Sequence, residues 1–311
     1  MEPALPSRVT DPEAQSSGPT LQHLVQSAAA RLERAGLSPA DAAFDAGLLA
    51  RAVLGWDRAT LLVRAPAPPP PGFEEKYEAL VARRERREPA AQLLGYREFW
   101  GRPFEVTRDV LVPRPETELI VESALERLRQ HAPDSPRIVD VGTGSGCLAI
   151  TLALEAGLPV TATDISEAAL QVARRNAIRL GAPQVTFVRA HLLEGLAPGF
   201  DLIVANPPYV RETDRQALSP EVRDYEPETA LFGGEDGLAI VRELLDVAPR
   251  YLRPHGHLLM EFGAGQDDVI RSLVAARPQL RLEAIREDLQ GIDRMAIIRC
   301  RNQGQAGAIG F

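Results

Sequence analysis

From residue 137 to residue 300 the chain alternates short apolar runs with helical segments, and that alternation leaves few folds open. The runs fall at 137–142, 159–164, 185–190, 200–205, 256–262, 280–287 and 294–300. Strands separated by helix-length crossovers pair in parallel, which predicts a mostly parallel, doubly wound α/β sheet covered on both faces. Phe200-Asp201-Leu202-Ile203-Val204-Ala205 is the clearest of these runs and reads as a buried central strand. In such sheets ligands bind beyond the carboxyl ends of the strands. The residues at those ends are therefore where chemistry should be sought.

Asn206-Pro207-Pro208-Tyr209 closes the central run. The two prolines stiffen the corner and cannot donate to a ladder, so backbone carbonyls stay free beside the Asn206 carboxamide. That combination suits a planar target with an NH2 group, either a carboxamide or the amino edge of a nucleobase. Upstream, Ile138-Val139-Asp140-Val141 feeds Gly142-Thr143-Gly144-Ser145-Gly146, with a helical segment from Leu148 onward. A dinucleotide fingerprint would need glycine at position 147, where Cys147 stands. The pattern is instead D-x-G-x-G-x-G. A pyrophosphate would be repelled by Asp140, whereas the ammonium of a methionine moiety would be attracted. The next strand ends at Asp164, followed by Ile165, and an acid there suits ribose hydroxyls. Together these features favour S-adenosylmethionine over a nicotinamide cofactor.

Several further motifs resemble the HemK/PrmC family of protein-glutamine methyltransferases. They are Gly95-Tyr96-Arg97-Glu98-Phe99-Trp100, Pro113-Arg114-Pro115-Glu116-Thr117-Glu118 and Phe232-Gly233-Gly234-Glu235-Asp236-Gly237-Leu238, beside the glycine loop and the Asn206–Tyr209 corner. The resemblance spans roughly residues 20–300. It implies a seven-stranded Rossmann-like methyltransferase domain whose last strand is antiparallel, preceded by a small helical-bundle domain that grips a protein substrate. It also implies methyl transfer from S-adenosylmethionine to the glutamine side-chain nitrogen of the Gly-Gly-Gln motif in class I peptide chain release factors, a step in translation termination. On this reading Asn206, Pro207, Pro208 and Tyr209 bind the substrate amide and carry catalysis. Asp140, Gly142, Thr143, Gly144, Ser145, Gly146, Asp164, Ile165, Leu192 and Asn206 hold the cofactor. The chain departs from the family at Ala190-His191-Leu192, where many members carry an acid near adenine; His191 can replace that acceptor only when neutral.

Composition narrows the partners. Of 311 residues, 45% are hydrophobic and 25% charged, and the net charge is −8. Residues 1–95 hold 11 basic and 12 acidic side chains, leaving 24 and 31 for the remainder. An acidic catalytic portion argues against a groove that tracks phosphates. The one dense basic run, Arg83, Arg84, Arg86 and Arg87, is interleaved with Glu85 and Glu88 and reads as a solvated helix face. A nucleic-acid exocyclic-amine methyltransferase nevertheless fits the same corner, and so does a cofactor-binding scaffold without turnover. Cys147 and Cys300 have no metal or disulfide spacing, and the first twenty residues lack a signal-peptide core. The expectation is a cytoplasmic monomer without metal or membrane partner. Its parts are a disordered N-terminus over 1–19, a helical domain over 20–90, a β-hairpin linker over 91–109, a catalytic domain over 110–301, and a flexible tail over 302–311.

Overall fold

The computed structural model describes residues 18–131 and 135–301. Apart from residues 18 and 19, the two tails read from composition lie outside the described residues. The chain forms two compact units that divide between Leu94 and Gly95.

The first unit is helical: α1 (Leu21–Arg34), α2 (Pro39–Leu54), α3 (Arg58–Arg64), α4 (Phe73–Glu85) and the short α5 (Ala90–Leu94). Ser38 caps α2 by accepting from Asp41 N, and Pro39 supplies the preset φ of its first turn. Leu21, Leu32, Leu49, Phe73, Tyr77 and Val81 form its core. The basic run is only in part a solvated face, with Arg86 exposed. Arg84 is buried and pairs with Asp45 at 2.7 Å, Arg83 pairs with Glu88, and Arg87 donates to the Gly36 carbonyl. A guanidinium taken out of water requires such partners, so Arg84 ties α4 to α2 and Arg87 reaches the connection between α1 and α2.

The second unit opens with a hairpin, β1 (Tyr96–Phe99) and β2 (Arg102–Glu105). Trp100 and Gly101 both take positive φ, as a tight two-residue hairpin turn demands. Residues 91–94 thus belong to helix, and the hairpin packs within the second unit. Asn176 ties it down: its Oδ1 accepts from Glu105 N and its Nδ2 donates to the carbonyls of Glu105 and Ser145.

After a 3₁₀ turn at Pro115–Thr117 the elements run α6 (Glu118–His131), β3 (Ile138–Val141), α7 (Cys147–Ala156), β4 (Val160–Asp164), α8 (Glu167–Leu180), β5 (Val185–Arg189) and β6 (Phe200–Ala205). Short helices α9 (Pro220–Arg223) and α10 (Glu228–Leu231) follow. The chain ends on α11 (Ala239–Tyr251), β7 (Leu252–Glu261), α12 (Asp267–Ala275), β8 (Leu280–Glu287) and β9 (Asp293–Cys300). The sheet has seven strands in the order β5-β4-β3-β6-β7-β9-β8, with β9 antiparallel to both neighbours, as the resemblance implies. Successive strand residues supply opposite faces. Ile138, Leu202 and Val204 pack with α6 and α7, whereas Val139, Ile203 and Ala205 pack with α11. Strand β7 begins four residues before the predicted start, because Pro254 and Gly256 interrupt its apolar pattern while its pairing with β6 shifts register at Phe200 and Leu202. Chain order reverses between β3 and β6, and that switch point places the site.

Candidate active site

One cavity of about 340 Å³ opens beyond the carboxyl ends of β3, β4 and β6, within the usual range for a small-molecule site. Gly142, Thr143, Gly144, Ser145, Asp164, Ile165, Leu192, Asn206, Pro207 and Pro208 line it. These sequence-nominated residues therefore converge, although they come from four separate segments. Asp140, Gly146 and Tyr209 do not line it, and each has another task.

Asp140 is fully buried beneath the glycine loop. Its Oδ2 accepts from the Thr143 hydroxyl at 2.6 Å and from Ala149 N in the first turn of α7 at 3.1 Å. One carboxylate oxygen is thus spent on holding the loop to the start of α7. Its Oδ1 is buried without a hydrogen-bond partner. Burial pushes the carboxyl up to about 7 against the pull of Thr143 and Ala149. Gly146 serves helix packing instead, because a Cβ there would come within 2.8 Å of Ile150 Cδ1.

The loop itself suits a bulky ligand. Gly142 and Gly144 have φ of +73° and +55°, and a Cβ on either would meet no protein atom within 4 Å. Asp164 accepts from Gly144 N at 2.9 Å and from Ser166 N at 2.8 Å, which locks its carboxylate at the mouth of β4. Burial raises its pKa, opposed by those backbone donors. Each oxygen keeps a lone pair for a hydroxyl. Apolar walls from Leu111, Ile165, Leu192 and Leu244 complete a chamber matched to a nucleoside carrying a ribose diol. Leu192 has φ of +50°, and its carbonyl is held by the Thr163 hydroxyl at 2.8 Å. His191 also lines the chamber, with Nε2 2.7 Å from Glu243 Oε2.

The Asn206 corner is braced from behind. Gln266 Nε2 donates to the Tyr209 carbonyl at 3.1 Å, and Val210 exchanges backbone hydrogen bonds with Leu231 and Gly233. Gly237 packs so closely that a Cβ would lie 2.3 Å from the Tyr209 carbonyl oxygen, at a φ of +76°. The Phe232–Leu238 motif therefore buttresses the corner. Tyr209 turns inward and donates its hydroxyl to Glu261 Oε1 at 3.2 Å, instead of lying over the cavity.

Sequence reasoning missed Glu261, Thr117 and Glu226. Glu261 is buried at the carboxyl end of β7, where burial pushes its carboxyl up to about 7, with Thr117 and Tyr209 pulling it down. The Thr117 hydroxyl donates to Glu261 Oε2 at 2.8 Å and accepts from Asn206 Nδ2 at 3.0 Å. An acid ending the apolar run Leu258-Leu259-Met260 was the available signal. Among the described residues no cluster of His, Cys, Asp or Glu is arranged to hold a metal ion, and no helix is long and apolar enough to cross a membrane.

The fold is that of a methyltransferase. The human Mettl16 catalytic domain aligns with a TM-score of 0.53 at 17% identity, covering 69% of this chain and 82% of that one, a likeness of fold alone. A family described as methyltransferase small domain matches residues 117–221, and one described as PrmC N-terminal domain matches residues 23–95. The chain belongs to the release factor glutamine methyltransferase family. It is 41% identical to the release factor glutamine methyltransferase of Cereibacter sphaeroides, over 88% of this chain and 96% of that protein. With the Bradyrhizobium diazoefficiens relative of the same name it shares 41%, over 94% and 98%.

Proposed function

We propose that this chain methylates the side-chain amide nitrogen of the glutamine in the Gly-Gly-Gln motif of class I release factors, with the Asn206–Tyr209 corner as the amide clamp. The observation that carries the proposal is the Asn206 carboxamide. It lines the cavity with Nδ2 already committed to Thr117, which leaves Oδ1 as the group to meet a substrate N–H. Gly142–Ser145 and Asp164 cradle S-adenosylmethionine, which when bound supplies a methyl group on a positively charged sulfur.

An amide nitrogen is a poor nucleophile because its lone pair is delocalised into the carbonyl. Asn206 Oδ1 and the Pro207 carbonyl each accept one of its hydrogens. That grip aims the nitrogen across the cavity, and the two dipoles stabilise positive charge developing on it. The methylated amide is strongly acidic and sheds its proton to solvent, so the corner needs no dedicated base. The helical unit before Gly95 grips the release factor, and the work takes place in the cytoplasm, with the chain acting as a monomer.

Incubating the full chain with methyl-labelled S-adenosylmethionine and, in separate tubes, release factor, total RNA and duplex DNA tests the proposal. Label should enter release factor alone and disappear when its Gly-Gly-Gln glutamine is changed to glutamate, which leaves both acceptors of the corner unpaired. Label in RNA or DNA but not in release factor would overturn it.

A further inference from the structure

Asn206 poses a problem of polarity. A carboxamide rotated by half a turn has nearly the same shape but would turn its NH2 toward the cavity and repel the target amide. A hydroxyl alone does not choose between the two orientations, since it donates or accepts equally well. The choice is made one residue deeper. Glu261 Oε2 takes the Thr117 proton at 2.8 Å, so the Thr117 oxygen is left to accept from Asn206 Nδ2 at 3.0 Å. The other carboxylate oxygen takes the Tyr209 hydroxyl at 3.2 Å, which fixes the rotation of the acid and pins the far end of the corner. Thr117 and Glu261 are each 2% exposed, so the two links lie away from bulk water.

We infer that Thr117 and Glu261 are positioning residues: a one-way hydrogen-bond chain from the Glu261 carboxylate through Thr117 sets the Asn206 oxygen toward the substrate. The inference rests on the amide-clamp reading of Asn206 and adds to it the residues that set its direction. It has a consequence for pH. A protonated Glu261 has a hydrogen of its own to give Thr117, which releases the Thr117 proton toward Asn206 and permits the flipped amide. The charged and titratable groups facing Glu261 are Glu116 before α6, Tyr209 after β6, Arg294 on β9 and Cys147 at the start of α7. Glu116 raises its proton affinity and Arg294 lowers it.

The test compares Glu261→Gln, Thr117→Val and Thr117→Ser in the full chain, with release factor as methyl acceptor. Glu261→Gln and Thr117→Val should each lower kcat at least about tenfold while the S-adenosylmethionine Kd stays within about threefold. Thr117→Ser keeps the hydroxyl and should restore kcat to within about threefold. The acid limb of the wild-type kcat profile should vanish in Glu261→Gln. Retention of kcat in Thr117→Val and Glu261→Gln, or parallel loss of cofactor binding, overturns the inference. A second readout needs no turnover: the Asn206 side-chain NH2 resonances, assigned by their loss in Asn206→Asp, should shift in Thr117→Val. If they do not shift, the chain of bonds is wrong. If they shift but the wild type labels no release factor, the methylation reading fails instead.

Discussion

Arg114 sets one guanidinium nitrogen against both carboxylate oxygens of Glu226, at 2.7 and 2.8 Å, across 112 residues of sequence. Arg114 lies in the wall that precedes α6, and Glu226 directly precedes the cavity-lining residues Pro227, Thr229 and Ala230. The pair therefore ties two walls of one chamber. Burial raises the Glu226 pKa and Arg114 opposes the rise. Arg114→Met leaves a buried carboxylate without its cation. Because the Arg114 side chain is 31% exposed, the loss should be about 2–3 kcal/mol, below the roughly 3–5 of a fully enclosed pair. Urea denaturation checks it, and adding Glu226→Gln should recover more than half of the loss.

Asn206→Ala should lower kcat by about 10²–10³, the loss of one oriented acceptor at about 2.7–4 kcal/mol. Asn206→Asp should be at least as damaging, since it places a charge where the Thr117 bond needs a donor. Single-turnover methylation of release factor measures both, and a loss under threefold would mean that the corner is misassigned.

Gly237→Ala tests the buttress. Its Cβ would collide with the Tyr209 carbonyl, so the corner must move away from the chamber. A displacement of about 1 Å is expected to cost about 10²-fold in kcat. Cofactor affinity, read by calorimetric titration, should change far less, because Gly142 and Gly144 lie in the loop after β3 and Asp164 at the end of β4.

Asp140 predicts a pH effect on stability. Its folded pKa stands near 7 against an ordinary value of 3.8, so between those limits the folded chain holds a proton that the unfolded chain has released. Stability supplied by this group is fully present below about pH 4 and is lost as the pH rises toward 7. At about 1.4 kcal/mol per pH unit, the loss reaches up to about 4 kcal/mol. Asp140→Asn lacks this titration. Its stability relative to the parent chain should therefore rise between pH 4.5 and pH 8, as followed by urea midpoints at the two values.

The sheet and the corner were legible because their signals are local. A β-branched run before glycines, or an asparagine before two prolines, carries its meaning within a few residues. Glu261 was not legible in that way. It meets Tyr209 only because β7 lies beside β6 in register, with Ala205 opposite Met260. Thr117 was passed over between Glu116 and Glu118, whose charges explain a helix start but say nothing of a hydroxyl bonded 144 residues away. Asp140 shows a related limit: spacing places an acid near a loop without saying that one of its oxygens is spent on Thr143 and Ala149. Arg84 shows the same limit in the helical unit, since nothing beside it in sequence reveals Asp45 across the bundle.

Asn176 makes the hairpin and the glycine loop mechanically one piece, because a single buried amide holds the carbonyls of Glu105 and Ser145 together. Strain applied at the ribbon, whether by insertion, truncation or a docking macromolecule, has in that side chain a direct path to the nucleoside cradle. Lesions around Tyr96–Glu105 would then surface as weakened ligand affinity, far from any atom the ligand touches.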